Sequence, residues 1–289
     1  MTAATRKGQR SKTEVHAAPF ENPLIPNKRL CALYTAMVEL RLLEAFAGSF
    51  AKTRLHITPG LEACRTSTAI NLEPGDLTSE SAPSIATEYL RGAKLPALLD
   101  RIDSLASRKA KPAAPQPGEL PLLPAGRERI YLALGAAQAH KTSKSAKLSR
   151  VVVIYTNPTE LSQDDWTEAL RFAGEQALPV LFVAFPDTAR TKTGRLSRNA
   201  TAHGVPGILV DAADPVALYR VMQEFLERAR HGGGPVLMEC VAFEPTKKHP
   251  AADPIETMKQ FLLSRSVVTE DWMAAVEQSF RKRLKDIKT

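Results

Sequence analysis

Apolar positions along the chain follow two successive rhythms. From Asn27, Leu30, Leu33, Tyr34, Met37, Val38, Leu40, Leu42 and Phe46 recur at helical spacing and predict one long amphipathic helix with Asn27 as its N-cap. Shorter helices are predicted over 61–72, 84–91 and 96–105, separated by the turn signals His56-Ile57-Thr58-Pro59-Gly60 and Glu73-Pro74-Gly75-Asp76. Residues 107–125 hold five prolines and cannot continue a helix, so they read as a surface excursion before a further helix over 126–140. From Val151 the rhythm changes. Short β-branched runs at 151–155, 179–185, 207–210 and 236–243 alternate with helices over 163–176, capped by Ser162, and from Asp214-Pro215 to His231. Two more helices are expected from Asp253 and Thr269. Alternation of this kind predicts an α/β fold: a doubly wound, mostly parallel sheet flanked by helices, with right-handed crossovers and an N-terminal helical arm.

Composition adds limits to this picture. With 44% hydrophobic and 24% charged residues in 289, the chain can bury a full core. Residues 1–20 are polar and basic and read as a disordered arm; 21–289 read as a single domain. No apolar run approaches the roughly 20 residues needed to cross a membrane, and 1–16 lack an apolar signal segment, so a cytoplasmic protein is expected. Cys31, Cys64 and Cys240 are scattered and read as buried free thiols. The net charge of +8 lies mainly at the ends: Arg6, Lys7, Arg10 and Lys12 against Glu14, and Arg281, Lys282, Arg283, Lys285 and Lys288 against Asp286. A third cluster, Lys141, Lys144, Lys147 and Arg150, precedes the first β-branched run. No aromatic residues alternate with these charges, so they do not point to a nucleic-acid partner.

Parallel sheets bind ligands beyond the carboxyl ends of their strands, here the loops after Tyr155, Phe185, Val210 and Phe243. The first of these, Thr156-Asn157-Pro158-Thr159, has no glycine, and Pro158 has no N–H to give a phosphate. Asn157 and Thr159 still offer side-chain oxygens to a cofactor, but a turn and cap explains them more simply. Glu62 fits the first turn of a helix, Asp211 and Asp214 fit turn and cap chemistry, and His203 fits a structural position before a strand. No Ser-His-Asp, Cys-His or metal-ligand grouping has supporting context.

Six stretches, in order, resemble the α subunit of the thiamine-diphosphate-dependent 2-oxoacid dehydrogenases, the E1 component of pyruvate and branched-chain complexes. They are LYTAMVELRLLEAFAGSF (33–50), Gly60-Leu61-Glu62-Ala63, LEPGDLTSES (72–81), the unit from VVVIY to LPVLFVAF (151–185), the stretch 204–243, and DPIETMKQFL (253–262) with the final helix. The resemblance implies the thiamine-diphosphate-binding fold. It also implies oxidative decarboxylation of a 2-oxo acid, with acyl transfer to the lipoyl disulfide of a lipoyl-bearing E2, and thiamine diphosphate and magnesium held between the chain and an E1 β-type subunit.

The family's site motifs, laid on this chain, are eroded. Its Gly-Asp-Gly, whose Asp binds magnesium, falls on Asn157-Pro158-Thr159, and its Asn-Asn pair on Pro186-Asp187, leaving Asp187 as the one candidate metal ligand. Its histidine- and arginine-bearing segment falls on 81–84, which lacks those groups. Its glycine-rich stretch falls on Gly126-Arg127-Glu128-Arg129, whose bulky charges would occupy cofactor space. Its late catalytic histidine aligns near Lys248, so the adjacent His249 is either a displaced catalytic residue or, more simply, a loop residue. Two readings follow: an E1 α-like dehydrogenase chain, or a non-catalytic relative that pairs with an E1 β-type subunit or forms a homo-oligomer, with 127–140 as a close-packing surface.

Overall fold

The computed structural model describes residues 24–48, 60–106, 116–123, 125–143, 150–186, 195–242 and 252–288. The elements run α1 (Asn27–Gly48), α2 (Glu62–Ala69), β1 (Leu77–Ser79), α3 (Ile85–Leu90), α4 (Leu95–Ala106), α5 (Gly126–Thr142), β2 (Val152–Thr156), α6 (Gln163–Glu175) and β3 (Val180–Ala184). They continue with α7 (Arg195–Ala202), β4 (Gly207–Asp211), α8 (Pro215–Arg230), β5 (Val236–Val241), α9 (Pro254–Ser264) and α10 (Glu270–Lys288). The strands form one parallel sheet in the order β1-β2-β3-β5-β4. This is the expected α/β architecture.

Both faces of the sheet are covered, which is why its central strands read as unbroken apolar runs. Val153, Tyr155, Leu181, Val183, Met238 and Cys240 face a core shared with α1, α2, α8, α9 and α10. Val152, Ile154, Val180, Phe182 and Leu237 face α5, α6 and α7. A smaller cluster joins the end of α1 to α3, α4 and α10 around Leu43, Ile85, Leu98 and Phe280. The caps follow the sequence: Ser162 accepts from Asp165 N–H, and Asp214 from Val216 and Ala217 N–H. Asp211 closes the preceding turn on Ala213 N–H.

Several sequence expectations need correction. Asn27 lies within α1, and the carbonyl of Pro26 takes the first helical bonds, from Arg29 and Leu30. β1 and α7 were not foreseen, because Leu77-Thr78-Ser79 is too short and polar to stand out and α7 carries few apolar residues. Cys31 is only partly buried, whereas Cys64 and Cys240 are buried, and all three are free. On α5, Ala133 and Ala137 pack inward against the chain's own sheet, so that part of the close packing is internal.

Asp76, from the turn before β1, ties the sheet's edge together. Its Oδ1 accepts from Val151 N–H (3.1 Å) and Arg230 Nη1 (3.0 Å), and its Oδ2 from Glu73 N–H (2.7 Å) and Arg230 Nη2 (2.6 Å). Nearby, Arg101 holds two buried carboxylates, Glu88 at 2.7 Å and Glu119 at 3.4 Å. Burial pushes the Glu88 carboxyl up from 4.5 to about 7; Arg101 partly offsets this and Glu119 adds to it. The folded chain therefore holds this proton more tightly than the unfolded chain does. Its contribution to stability is full below the unfolded value and is lost as pH rises through about 7. Glu88→Gln is expected to flatten the fall of the urea midpoint between about pH 5 and pH 7.5; an unchanged slope would mean that Glu88 is not its source.

Candidate active site

The carboxyl ends of β1, β2 and β3 open between the N-terminal ends of α2, α5 and α6, the place where such sheets hold ligands. The loop after β2 is closed on itself. Asn157 Oδ1 accepts from both Thr159 N–H (3.0 Å) and Thr159 Oγ1 (2.8 Å), an Asx turn, so the structure brings these two candidates together and pairs them with each other. The Pro158 carbonyl accepts from the Trp166 indole N–H (3.1 Å), which pins the loop to α6. Thr156 Oγ1 donates to Glu160 Oε2 at 2.6 Å.

Two buried arginines fill the remaining space. Arg129, 1% exposed, reaches from the first turn of α5 across the ends of β1 and β2. Its Nη1 donates to Ser79 Oγ (2.8 Å), its Nη2 to the Tyr155 carbonyl (3.0 Å), and Nε and Nη2 both to Glu160 Oε1 (3.0 and 2.5 Å). Gly126 is needed here, because a Cβ on it would collide with Glu160 Cγ. Arg127 turns outward to Asp165 and Glu168, whereas Arg129 turns in to the strand ends.

Arg65 projects from α2, all eight residues of which are buried. Its Nη1 lies 2.6 Å from Glu80 Oε1, an ion pair whose partners are 1% and 3% exposed. Thr87 Oγ1 donates to the same carboxylate oxygen at 2.7 Å. The guanidinium carbon sits 4.7 Å from the Tyr155 ring centre and 4.4 Å from that of Phe185, and the two rings stack at 5.6 Å. Burial pushes the Tyr155 hydroxyl up to about 12, so it stays neutral. The cavity left among Arg65, Glu80, Tyr155, Asn157 and Phe185 is about 100 Å³. Small-molecule sites usually span about 300–1,000 Å³.

Glu62 is in the first turn of α2, as expected, and is also 1% exposed and clamped by Arg41 at 2.8 and 3.0 Å. The same guanidinium holds Asp253, the cap of α9, at 2.7 and 2.9 Å, so one arginine joins α1, α2 and α9. Ser84 caps α3. Asp187, His249 and His56 lie outside the described residues, as do 1–23 and 107–115 of the expected arm and excursion. Among the described residues no group of three or more histidine, cysteine or carboxylate side chains could hold a metal ion, and no helix is long and apolar enough to cross a membrane.

The sequence profile described as "Dehydrogenase E1 component" matches residues 55–247, which span all of this mouth. The chain belongs to the dehydrogenase E1 component family. This E1-family chain is 27% identical over 231 residues to the α subunit of acetoin:2,6-dichlorophenolindophenol oxidoreductase of Bacillus subtilis, covering 73% of the chain and 68% of that relative. It is 28% identical over 186 residues to the pyruvate dehydrogenase E1 component subunit α of the same organism, covering 55% and 49%. It is 27% identical over 192 residues to the 3-methyl-2-oxobutanoate dehydrogenase subunit α of Mycobacterium tuberculosis, covering 58% and 50%. The chain thus spans about half the length of the last two. The family is one of oxidoreductases that use thiamine diphosphate, and the parallel sheet with its flanking helices agrees with that fold.

Arg65 and Glu80 were missed from sequence. The available signal was a single large cation in Glu-Ala-Cys-Arg-Thr-Ser-Thr-Ala, a helix otherwise made of small side chains and one acid.

Proposed function

We propose that this E1 α-like chain keeps the family's fold but does not carry out its decarboxylation, and acts instead as a structural subunit. The observation that carries this reading is the pair of buried ion pairs, Arg129–Glu160 and Arg65–Glu80, at the strand mouths. The residues present do not fit a magnesium diphosphate. Glu80 and Glu160 already neutralise both cations, the Asn157 oxygen already accepts two hydrogen bonds, and Pro158 brings no carboxylate to a cation that wants oxygen ligands. An intact dehydrogenase would instead need Asp187 as its metal ligand and His249 as its catalytic histidine.

The relatives' names describe α subunits, which supports a partner: a β-type E1 subunit, or a second copy of this chain. The outward face of α5 offers a surface for it. Leu132 is 38% exposed, and a Cβ added to the nearby Gly135 would meet no atom within 4 Å. Gly135→Trp is therefore expected to leave the isolated chain folded and to break its assembly. Sedimentation of the chain alone and with a β-type subunit tests this. A complex of two or more chains that Gly135→Trp dissociates is the expected result. A monomer under both conditions would remove the structural-subunit reading, and an assembly indifferent to the substitution would remove α5 as its surface.

A further inference from the structure

Residues 116–120 run along the free edge of β1, with Thr78 N–H donating to the Gly118 carbonyl and Leu120 N–H to the Thr78 carbonyl, both at 2.8 Å. These bonds lay a short strap beside the sheet. Between the strap, the turn entering β1 and the connection from α3 to α4 lies a cavity of about 400 Å³. That is far above the roughly 30 Å³ that one water occupies. The strap thus borders a space rather than closely packed side chains, and segments with few packed neighbours are where a fold opens locally.

The strap carries one member of a buried charge cluster. Glu119, with its side chain 6% exposed, accepts through Oε2 from Arg101 Nη2 (3.4 Å) and from Gln116 N–H (3.0 Å) within the strap. Arg101, on α4, also holds Glu88 of α3, 7% exposed, at 2.7 Å. Two buried carboxylates therefore share one guanidinium. With Glu88 protonated the cluster is neutral; with Glu88 ionised it keeps one negative charge that has neither its own cation nor water. Arg101 and Glu119 are the charges that act on Glu88. The other charged residues along the cavity are engaged elsewhere, Arg91 on the Asp76 carbonyl at 3.0 Å and Glu73 on Arg230 at 3.8 Å. Of the further helices packed on α3, α1 directs Glu39 to Tyr89 and Arg283, and α2 directs Arg65 to Glu80.

We propose that residues 116–120 form a pH-dependent strap, closed on β1 while Glu88 keeps its proton and released as Glu88 ionises. Release carries Glu119 into water and leaves Arg101 to Glu88 alone, so the open form accommodates the second charge that the closed form does not. The closed form then binds the proton more tightly than the open form. Opening is least favourable below the ordinary carboxyl value, becomes easier by at most about tenfold per pH unit above it, and levels off above about 7, where the closed form has lost the proton as well. Release uncovers the backbone of Thr78 on the edge of the sheet.

The test is amide hydrogen exchange of the full chain between about pH 5 and about pH 7.5, corrected for the intrinsic pH dependence of exchange. Protection of the Thr78 and Leu120 amides is expected to fall at least about tenfold across this window. Val152 N–H, which donates to the Pro179 carbonyl at 3.0 Å inside the sheet, is expected to keep its protection. Glu88→Gln holds the cluster neutral at every pH and should keep the strap closed throughout. Glu119→Gln removes the charge that release carries into water and should shrink the fall, which keeps the test decisive if Glu88→Gln folds poorly. Protection at Thr78 and Leu120 that does not change with pH, that falls together with Val152, or that falls as far in either variant as in the natural chain would overturn the inference.

Discussion

Arg65→Ala is expected to destabilise the chain by about 3–5 kcal/mol, the usual cost of removing one partner from a buried ion pair. Its carboxylate partner, Glu80, is 3% exposed and would keep only the Thr87 hydroxyl. Tyr155 and Phe185 would lose the cation over their rings, and a space would open where the side chain packs. The expected readout is a large fall in the urea midpoint at unchanged slope. Arg65→Met combined with Glu80→Gln should recover most of the loss, because a neutral pair of similar volume carries no stranded charge. A single variant as stable as the natural chain would mean that the arginine is free to leave the mouth, and the site could then no longer be described as filled.

Arg129→Met is expected to cost a similar amount, about 3–5 kcal/mol, since it strands Glu160 and leaves Ser79 and the Tyr155 carbonyl short of a donor. This variant separates two roles. An arginine kept to bind phosphate would leave the ligand-free chain nearly as stable without it, and would show its effect only in ligand affinity. An arginine that belongs to the packed mouth shows its effect in stability with no ligand present. The four bonds it makes within the chain favour the second outcome, and unfolding with and without added pyrophosphate distinguishes them.

Strands β2, β3 and β5 were legible in the sequence because burial on both faces demands continuous apolar, β-branched runs, and Val152–Thr156 and Val180–Ala184 supply them. The caps at Ser162 and Asp214 were legible because capping is a local bond between neighbours, and the helix expected from Asp253 is capped by it. The turn character of the glycine-free loop Asn157-Pro158-Thr159 was legible for the same reason, and the Asx turn there matches the turn chemistry of those residues. Arg129 stood out in the sequence among the bulky charges at 126–129, but its partner Glu160 and the Arg65–Glu80 pair did not. Arg65 and Glu80 are 15 residues apart, Arg129 and Glu160 are 31 apart, and Arg41 and Asp253 are 212 apart. No periodicity links such pairs. They meet only once the strand order β1-β2-β3 brings α2, α5 and the β2 loop to one edge.

The family uses thiamine diphosphate, and the strand mouths of this chain carry the Arg65–Glu80 and Arg129–Glu160 ion pairs. The most direct test is calorimetric titration of the purified chain, alone and with a β-type subunit, with thiamine diphosphate in the presence and absence of magnesium. The expected result is no saturable, magnesium-dependent binding in either case; magnesium-dependent binding in the micromolar range or tighter would contradict a filled site.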